Sequence, residues 1–462
     1  MARRITMSRG LATSAAPGLL GLTSPVLTAQ TIATPASDPV SISRSGAGVA
    51  YGKSLEAAAL NPALLPTLEG RFQFFLAAGQ ELESSQTTPK SSQRTVYSTD
   101  RNRFLPAFGL AWKLGKSVGL GIKVDTPFLR HSRLNAETPI RFLGDELDLK
   151  AQRVEMQLGF ALRNDFSIGL GVGFVKIDTA SGASLRGLIP KDQTTGATGV
   201  SGTNPSEGLF EQRVTQKGSA TAPSFSAGFR WAIAPRWTLA GAYQSTIRGT
   251  ATQTARFADE PYRIFDNLHD STPVTGLDAR TVLGLSRAVA GTDKIALPAR
   301  VAVGVRQRVN QVFTWELDVR YTQGTQFEFP SMPSMATPSG VVRVAYPSGP
   351  FTNSVGLSLL GELKLSKTWV VRGGLSLDQS SRKDEDVEPL LGGQRSSGFS
   401  IGFGWQVASG ELNFGYQLRQ AQDQDPVNLD GFWDVSGYRR ANATTRVEGM
   451  GHIFSIGFKK IF

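Results

Sequence analysis

The chain has 462 residues, with 50 Gly, 24 Pro, 26 Phe, 3 His and no Cys. The lack of cysteine removes disulfides, thiol nucleophiles and Cys-ligated zinc or iron–sulfur centres, and three scattered histidines leave little room for a His-built metal site. Mean hydropathy is −0.14, the formal charge is +11 and no run of 18 apolar residues exists, which excludes a helical membrane protein but not a transmembrane β-barrel, apolar only at alternate residues.

Residues 1–29 read as a secretory signal. Arg3, Arg4 and Arg9 precede the small, mildly apolar stretch Gly10 to Thr28, no acid occurs before Asp38, and Ala29 is a cleavage point. Pro17 and Pro25 interrupt the apolar stretch, and a disordered tail is the alternative. The signal takes three units of the +11. The other basic residues are dispersed singly through strand-like segments, so no nucleic-acid partner is expected.

Residues 30–70 hold small residues (Ser45 to Gly52) and a short helical run, Ser54 to Leu60, stopped at Asn61-Pro62. Ser54 is the expected N-cap, and the residue before proline leaves the helical region. A compact apolar segment of this kind suits a plug inside a lumen; a linker is the alternative.

From residue 71 onward the hydrophobic period is two. Phe104, Phe108, Leu110 and Trp112 oppose Leu105, Ala107, Gly109 and Ala111. After the turn at 115–117, Val118, Leu120, Ile122 and Val124 oppose Gly119, Gly121 and Lys123. The unit recurs around tight turns at 163–165, 234–236, 310–311, 366–367 and 409–410. Six hairpins, with one strand before and one after, make fourteen strands, an even number as bacterial barrels require. The seven other connections are long: 85–103, 129–149, 179–220, 249–295, 325–352, 381–395 and 422–449. Short turns on one side and long loops on the other are the asymmetry of an outer-membrane barrel. A soluble β-sandwich or propeller also alternates, but neither exposes aromatic-rich faces on every strand, and a propeller needs a fixed blade period. The fold class is therefore all-β: a 14-stranded antiparallel transmembrane barrel spanning 71–462, with residues 30–70 as an N-terminal hatch.

The sequence resembles the FadL family of outer-membrane transporters for long-chain fatty acids and other hydrophobic compounds. Gly48, Tyr51 and Gly52, then Asn61, Pro62 and Ala63, are similar to the family's hatch motif. Leu297-Pro298 opening a strand, then Trp315 to Tyr321, resembles its mid-barrel hairpin. Arg372-Gly373-Gly374 with Asp378-Gln379-Ser380 resembles its Arg-x-Gly…Asp-x-Ser segment, although no Pro follows Ser380. Terminal Phe462, with Phe454, Ile456 and Phe458, resembles the signal read by the barrel assembly machinery; Lys460 departs from it and is placed to snorkel to the interface.

The resemblance implies passive uptake with no catalysis and no cofactor, in a monomer whose partners are fatty acids, lipids or detergents and the outer-membrane lipid. Ligand is captured by extracellular loops, passed to a lumen pocket against the hatch, and released when the hatch shifts through a lateral opening at a kinked third strand. The third strand here ends at Asp125-Thr126-Pro127, so Pro127 is the bend expected to form that opening. Apolar loop residues Leu185, Leu188, Ile189 and Phe210, and Leu283, Leu285 and Val289, are candidate ligand contacts. Most lumen charges are expected to pair across strands, with Arg320 and Arg372 as candidates for an anionic head group. Lumen-side glycines (119, 121, 169, 171, 173, 402, 404) are expected to make room for the hatch or ligand. A general porin would need an open lumen. An outer-membrane hydrolase would need a base, and His131, His269 and His452 have no adjacent Ser/Asp pattern.

Overall fold

The computed structural model describes residues 37–52, 54–89, 96–99, 102–134, 145–188, 209–257, 263–265, 271–273, 288–330, 335–337, 340–342, 350–383, 390, 392–407, 410–429 and 443–462. Strands between Phe72 and Ile461 form the wall. Its strands are β1 (Phe72–Pro89), β2 (Val96–Thr99 and Asn102–Lys113), β3 (Val118–Leu134), β4 (Glu146–Ala161), β5 (Phe166–Leu188), β6 (Leu209–Ala234) and β7 (Trp237–Gln244 and Ile247–Phe257). They continue as β8 (Ala288–Leu297 and Arg300–Arg308), β9 (Phe313–Thr322), β10 (Ser354–Lys364), β11 (Trp369–Asp378), β12 (Ser396–Val407), β13 (Gly410–Leu429) and β14 (Ala443–Ile461). Each pairs antiparallel with its neighbour, and β1 closes on β14 in unbroken register from Gln73 opposite Ile461 to Pro89 opposite Thr445. Closure is what lipid demands, because an open edge would leave a row of N–H and C=O groups without partners.

Alternation sorts the faces. Phe104, Met156 and Phe174 are 62–67% exposed on the outer face, while their neighbours Leu105, Glu155 and Val175 are sealed inside. Six of the seven tryptophans (112, 231, 237, 315, 369, 405) sit beside the short turns. Two pairs touch there, Trp237–Trp315 at 5.8 Å and Trp369–Trp405 at 5.6 Å. Such a girdle marks a membrane interface. At the seam, Phe462 donates its N–H to the Phe72 carbonyl at 2.8 Å and packs its ring 5.6 Å from that of Phe72, and the Lys460 ammonium lies 4.4 Å from the Phe462 ring centroid.

The strands on the long-loop side run further than the sequence suggests. β3 does not end at Asp125-Thr126-Pro127; it passes through an irregularity there and continues to Leu134. β5 and β6 stay paired out to Leu188 opposite Leu209, so Leu185, Leu188 and Phe210 belong to strands rather than loops. Leu297-Pro298 does precede a strand, Arg300–Arg308, but a further stretch, Ala288–Leu297, runs before it, so Pro298 falls in the break between the two halves of β8. The reason is a change of phase. On β4 the inward residues Arg153, Glu155 and Gln157 are polar, but further out the inward residues Leu147, Leu149 and Ala151 are apolar. Outward Asp148 and Lys150 are polar at that level. Beyond the membrane the wall meets water outside and an apolar filling inside, so the sequence pattern inverts while the strand continues.

Residues 37–69 lie in the lumen on the short-turn side. They contain α1 (Pro39–Ile42), α2 (Leu55–Leu60) and a 3-10 turn, Pro62–Thr67. Leu55, Leu64, Leu65 and Leu68 pack against Phe75 and Ala77 of β1 and Ala107 and Ala111 of β2, each such burial stabilising by about 2 kcal/mol. Ser54 stands at the N-cap of α2 but caps nothing with its side chain; its hydroxyl donates to Glu56 instead.

Candidate functional site

Asn61-Pro62-Ala63 anchors the lumenal segment. The Asn61 side-chain oxygen accepts the Ala63 N–H at 3.0 Å, capping the 3-10 turn, and Pro62 occupies the first position, where no N–H is needed. The Asn61 amide donates to the Val49 carbonyl at 3.0 Å and to the Phe229 carbonyl of β6 at 3.1 Å. One side chain therefore joins the turn, the preceding bend and the wall. The Ser167 hydroxyl donates to the Ala63 carbonyl at 2.7 Å and the Lys123 ammonium to the Ala59 carbonyl at 2.6 Å.

The wall makes room for this turn with glycine. A β-carbon on Gly119 would stand 2.7 Å from the Leu65 carbonyl carbon, one on Gly159 2.6 Å from the Pro62 oxygen, and one on Gly169 would overlap the Pro62–Ala63 peptide. Gly402 likewise faces Ser43. Gly171, Gly173 and Gly404 differ: the wall itself fills the space beside them, with side chains at Gly171 and Gly404 and with the Val154 carbonyl and Glu155 at Gly173.

Carboxylates hold the earlier bend. Asp318 accepts from the amides of Gly48 (2.8 Å) and Val49 (3.2 Å), and Glu316 from that of Ala50 (2.8 Å). The Tyr51 ring lies between two guanidinium groups, Arg44 at 3.5 Å and Arg306 at 4.4 Å from its centroid. Its hydroxyl donates to the Glu362 carboxylate, 2.7 and 2.9 Å from the two oxygens. Burial, and then the charge of Glu362, pushes the Tyr51 phenol above its ordinary value, so it stays a donor. Arg44, fully buried, reaches the same carboxylate at 3.1 Å; nothing in its local sequence singles it out.

The arginines considered for a head group are engaged. Arg372 bonds Glu362, Glu411 and Asn413. Arg320 bonds Asp378 at 3.0 Å and the Ser45 carbonyl at 3.2 Å. The cross-strand pairing expected of lumen charges is met at Glu362–Arg372 and Lys123–Glu155, both register neighbours. Arg163 lies exposed in its turn, paired with Asp165.

Above the segment the lumen turns apolar. Phe128, Leu147, Leu149, Val175, Ile177, Ile247, Ile295 and Leu297 form one cluster, into which Phe327, Phe351 and Leu390 descend from the long connections. Val289 is half-buried on the β8 face that carries Ile295 and Leu297 inward. Ile189, Leu283, Leu285 and His269 lie outside the described residues, as do the side chains of Leu185, Leu188 and Phe210. The wall also has a gap. Among the described residues, β2 and β3 pair from Phe108 opposite Val124 to Lys113 opposite Gly119, and again only at Ser98 and Thr99 opposite Leu134 and Arg133. Between these stretches β3 carries the Thr126-Pro127 irregularity, with no N–H on Pro127 to donate. A cavity of about 50 Å³ lies there, reaching from Ala107, Val124 and Pro127 to Asp38 and Glu56 of the segment.

Asp38 caps α1, accepting the Ser41 N–H at 2.8 Å. Burial, reinforced by Glu56, pushes its carboxyl up to about 6 from 3.8. An acid raised in this way contributes fully below its ordinary value, and the contribution is lost as pH rises through about 6. Seating of the segment is therefore expected to weaken between about pH 4 and 7, by up to roughly 3 kcal/mol. Asp38→Asn, which keeps the cap acceptor, flattens that dependence. Protease access to residues 37–69, followed against pH, checks it.

A family model described as outer membrane protein transport protein (OMPP1/FadL/TodX) matches residues 26–462. No curated protein matches the chain in sequence. Among solved structures, a Pseudomonas aeruginosa FadL homologue superposes with a TM-score of 0.74 at 17% identity, covering 93% of this chain and 99% of that one. The toluene transporter TodX of P. putida gives 0.63 at 13% identity over 92% and 98%. The toluene transporter TbuX of Ralstonia pickettii gives 0.60 at 15% over 93% and 99%. At such identities these structures speak for the fold, and they agree with the closed fourteen-stranded wall. With the family match running from residue 26 to the terminal Phe462, the chain belongs to the OMPP1/FadL/TodX family of outer-membrane transport proteins, channels for hydrophobic compounds and not enzymes.

Proposed function

We propose that this barrel takes up hydrophobic small molecules passively and releases them sideways, between β2 and β3, into the outer membrane. Ligand enters among the long connections, moves into the apolar compartment around Leu149, Ile177 and Leu297 by displacing Phe327 and Phe351, and meets residues 37–69, which act as the hatch. Long-chain fatty acids are one ligand class; toluene, carried by TodX and TbuX, is the other. Leu185, Leu188, Ile189, Phe210, Leu283, Leu285 and Val289 are assigned to the capture surface, and residues 1–29 to the export signal. The observation that carries the reading is the unpaired stretch between β2 and β3 at Pro127, joined by its cavity to the segment.

The chain has no cysteine, which makes the test clean. Ala107→Cys and Thr126→Cys place thiols on the two sides of the cavity. A cleavable bifunctional thiol reagent is expected to stop uptake of labelled oleate or toluene, and cleavage to restore it. Full-rate uptake through a completely cross-linked barrel rules out lateral release.

A further inference from the structure

A cavity of about 600 Å³ opens at the short-turn end, on the far side of the segment from the apolar compartment. Tyr51, Gly52, Pro66 and Thr67 roof it. Seven of its lining side chains are basic and one, Glu362, is acidic. That acid is already committed to Arg44, Arg372 and Tyr51, and of the bases Arg163 pairs with Asp165 outside the lining, which leaves the others unbalanced within the lining.

Two of the bases stand out. The Nε atoms of Arg230 and Arg306 are sealed from solvent and have no hydrogen-bond partner. Neither guanidinium forms an ion pair among the described residues. Glu316 lies across the ladder from Arg306, but one of its oxygens takes the Ala50 amide and the other makes no hydrogen bond, to Arg306 or to any other described group. Arg306 lies over the Tyr51 ring, and the Arg230 Nε is 3.9 Å from where a β-carbon on Gly52 would sit. Both therefore border the same bend of the lumenal segment. Partly buried cations of one sign around a shared space repel one another and lose hydration. A counter-anion relieves both costs, and the guanidinium fork matches an oxyanion in two parallel hydrogen bonds.

We propose that this vestibule is an oxyanion site, in which a carboxylate or phosphate group sits between Arg230 and Arg306 against the Tyr51–Gly52 bend. The bound anion bridges β6 and β8 to the segment and helps hold it in the lumen. The site is separate from the apolar compartment and does not depend on the lateral route.

Isothermal titration of the full chain in neutral detergent, with inorganic phosphate in one arm and hexanoate in the other, tests this. At least one arm is expected to saturate. Arg230→Gln with Arg306→Gln should weaken that binding by about tenfold or more, as lost charge-assisted bonds do. Lys176→Gln, a charge removed from the distant outer face, should leave it unchanged. Tighter phosphate identifies a free inorganic anion, and tighter hexanoate the head group of an amphiphile. Should the double Gln variant not assemble, Arg230→Lys with Arg306→Lys keeps the charge and breaks the fork, with an intermediate loss expected. Absence of saturable binding in both arms, or binding indifferent to the Arg230 and Arg306 changes, overturns the proposal.

Discussion

Gly169→Leu is expected to turn a closed barrel into an open one. Gly169 faces the lumen on β5, and any β-carbon there overlaps the Pro62–Ala63 peptide. The contact is with backbone, which cannot swing aside as a side-chain tip would. Overpacking costs typically about 1–3 kcal/mol when a core can shift; a four-carbon side chain against a peptide held by Asn61 and Ser167 exceeds that. The wall has the smaller stake. Its β5 pairs on both sides with β4 and β6 over the whole transmembrane length, so the segment should leave and the barrel stay. Planar-bilayer conductance should rise to the level of a variant lacking residues 37–69. Gly173→Ala is the contrast: the nearest atoms to its β-carbon belong to Val154 and Glu155 of the wall, so its effect falls on strand pairing. If Gly169→Leu conducts no more than the parent chain, the segment does not close the lumen.

The same glycines explain the composition. Gly119, Gly159 and Gly169 line one patch of wall, contributed by β3, β4 and β5, on which the 3-10 turn lies directly. The outer surfaces of these strands are apolar because lipid requires it; the inner surfaces are small because a second piece of chain must lie against them.

The pattern of the membrane-spanning part was legible because one rule governs it throughout. Val154, Met156, Leu170, Val172 and Phe174 face lipid in strict alternation, and turns such as 163–165 interrupt it sharply. Above the membrane the rule reverses. Leu147, Leu149, Val175 and Ile177 point inward among outward Asp148, Lys150, Lys176 and Asp178, so a search for apolar-out alternation ends there and a loop is inferred. The apolar compartment was hidden by that inversion. Asn61-Pro62-Ala63 could be picked out as a turn, since its chemistry is local. The partners of Glu316 and Asp318 could not. They look like lumen charges awaiting bases, yet they hold backbone amides more than 260 positions away, a relation that no local spacing encodes. Pro127 lay between these cases: the sequence marks a proline at an expected strand end, whereas the strand runs on to Leu134 and, among the described residues, β2 and β3 pair on either side of it but not beside it.

Glu316→Met with Asp318→Leu is the second change expected to release the segment. It removes the acceptors of three consecutive amides, those of Gly48, Val49 and Ala50. Each bond to a charged acceptor contributes about 1.5–3 kcal/mol, and each amide left buried without a partner costs about 1–3 kcal/mol. A competing effect must be weighed. The two acids sit two residues apart on one face of β9, deeply buried, and the Glu316 and Asp318 oxygens not facing the amides lack partners. Removing such charges recovers desolvation and repulsion energy. The isosteric amides separate the two effects. Glu316→Gln with Asp318→Asn keeps every acceptor and drops both charges, and should hold the segment at least as tightly as the parent. The Met/Leu variant drops charge and acceptor together, so the difference between the two variants reports the three amide bonds alone. A net loss of about 3 kcal/mol would raise the open population roughly a hundredfold, visible as frequent opening events in bilayer recordings. Equal closure in both variants would mean that packing around Leu64 and Leu65, rather than these carboxylates, keeps residues 37–69 in the lumen.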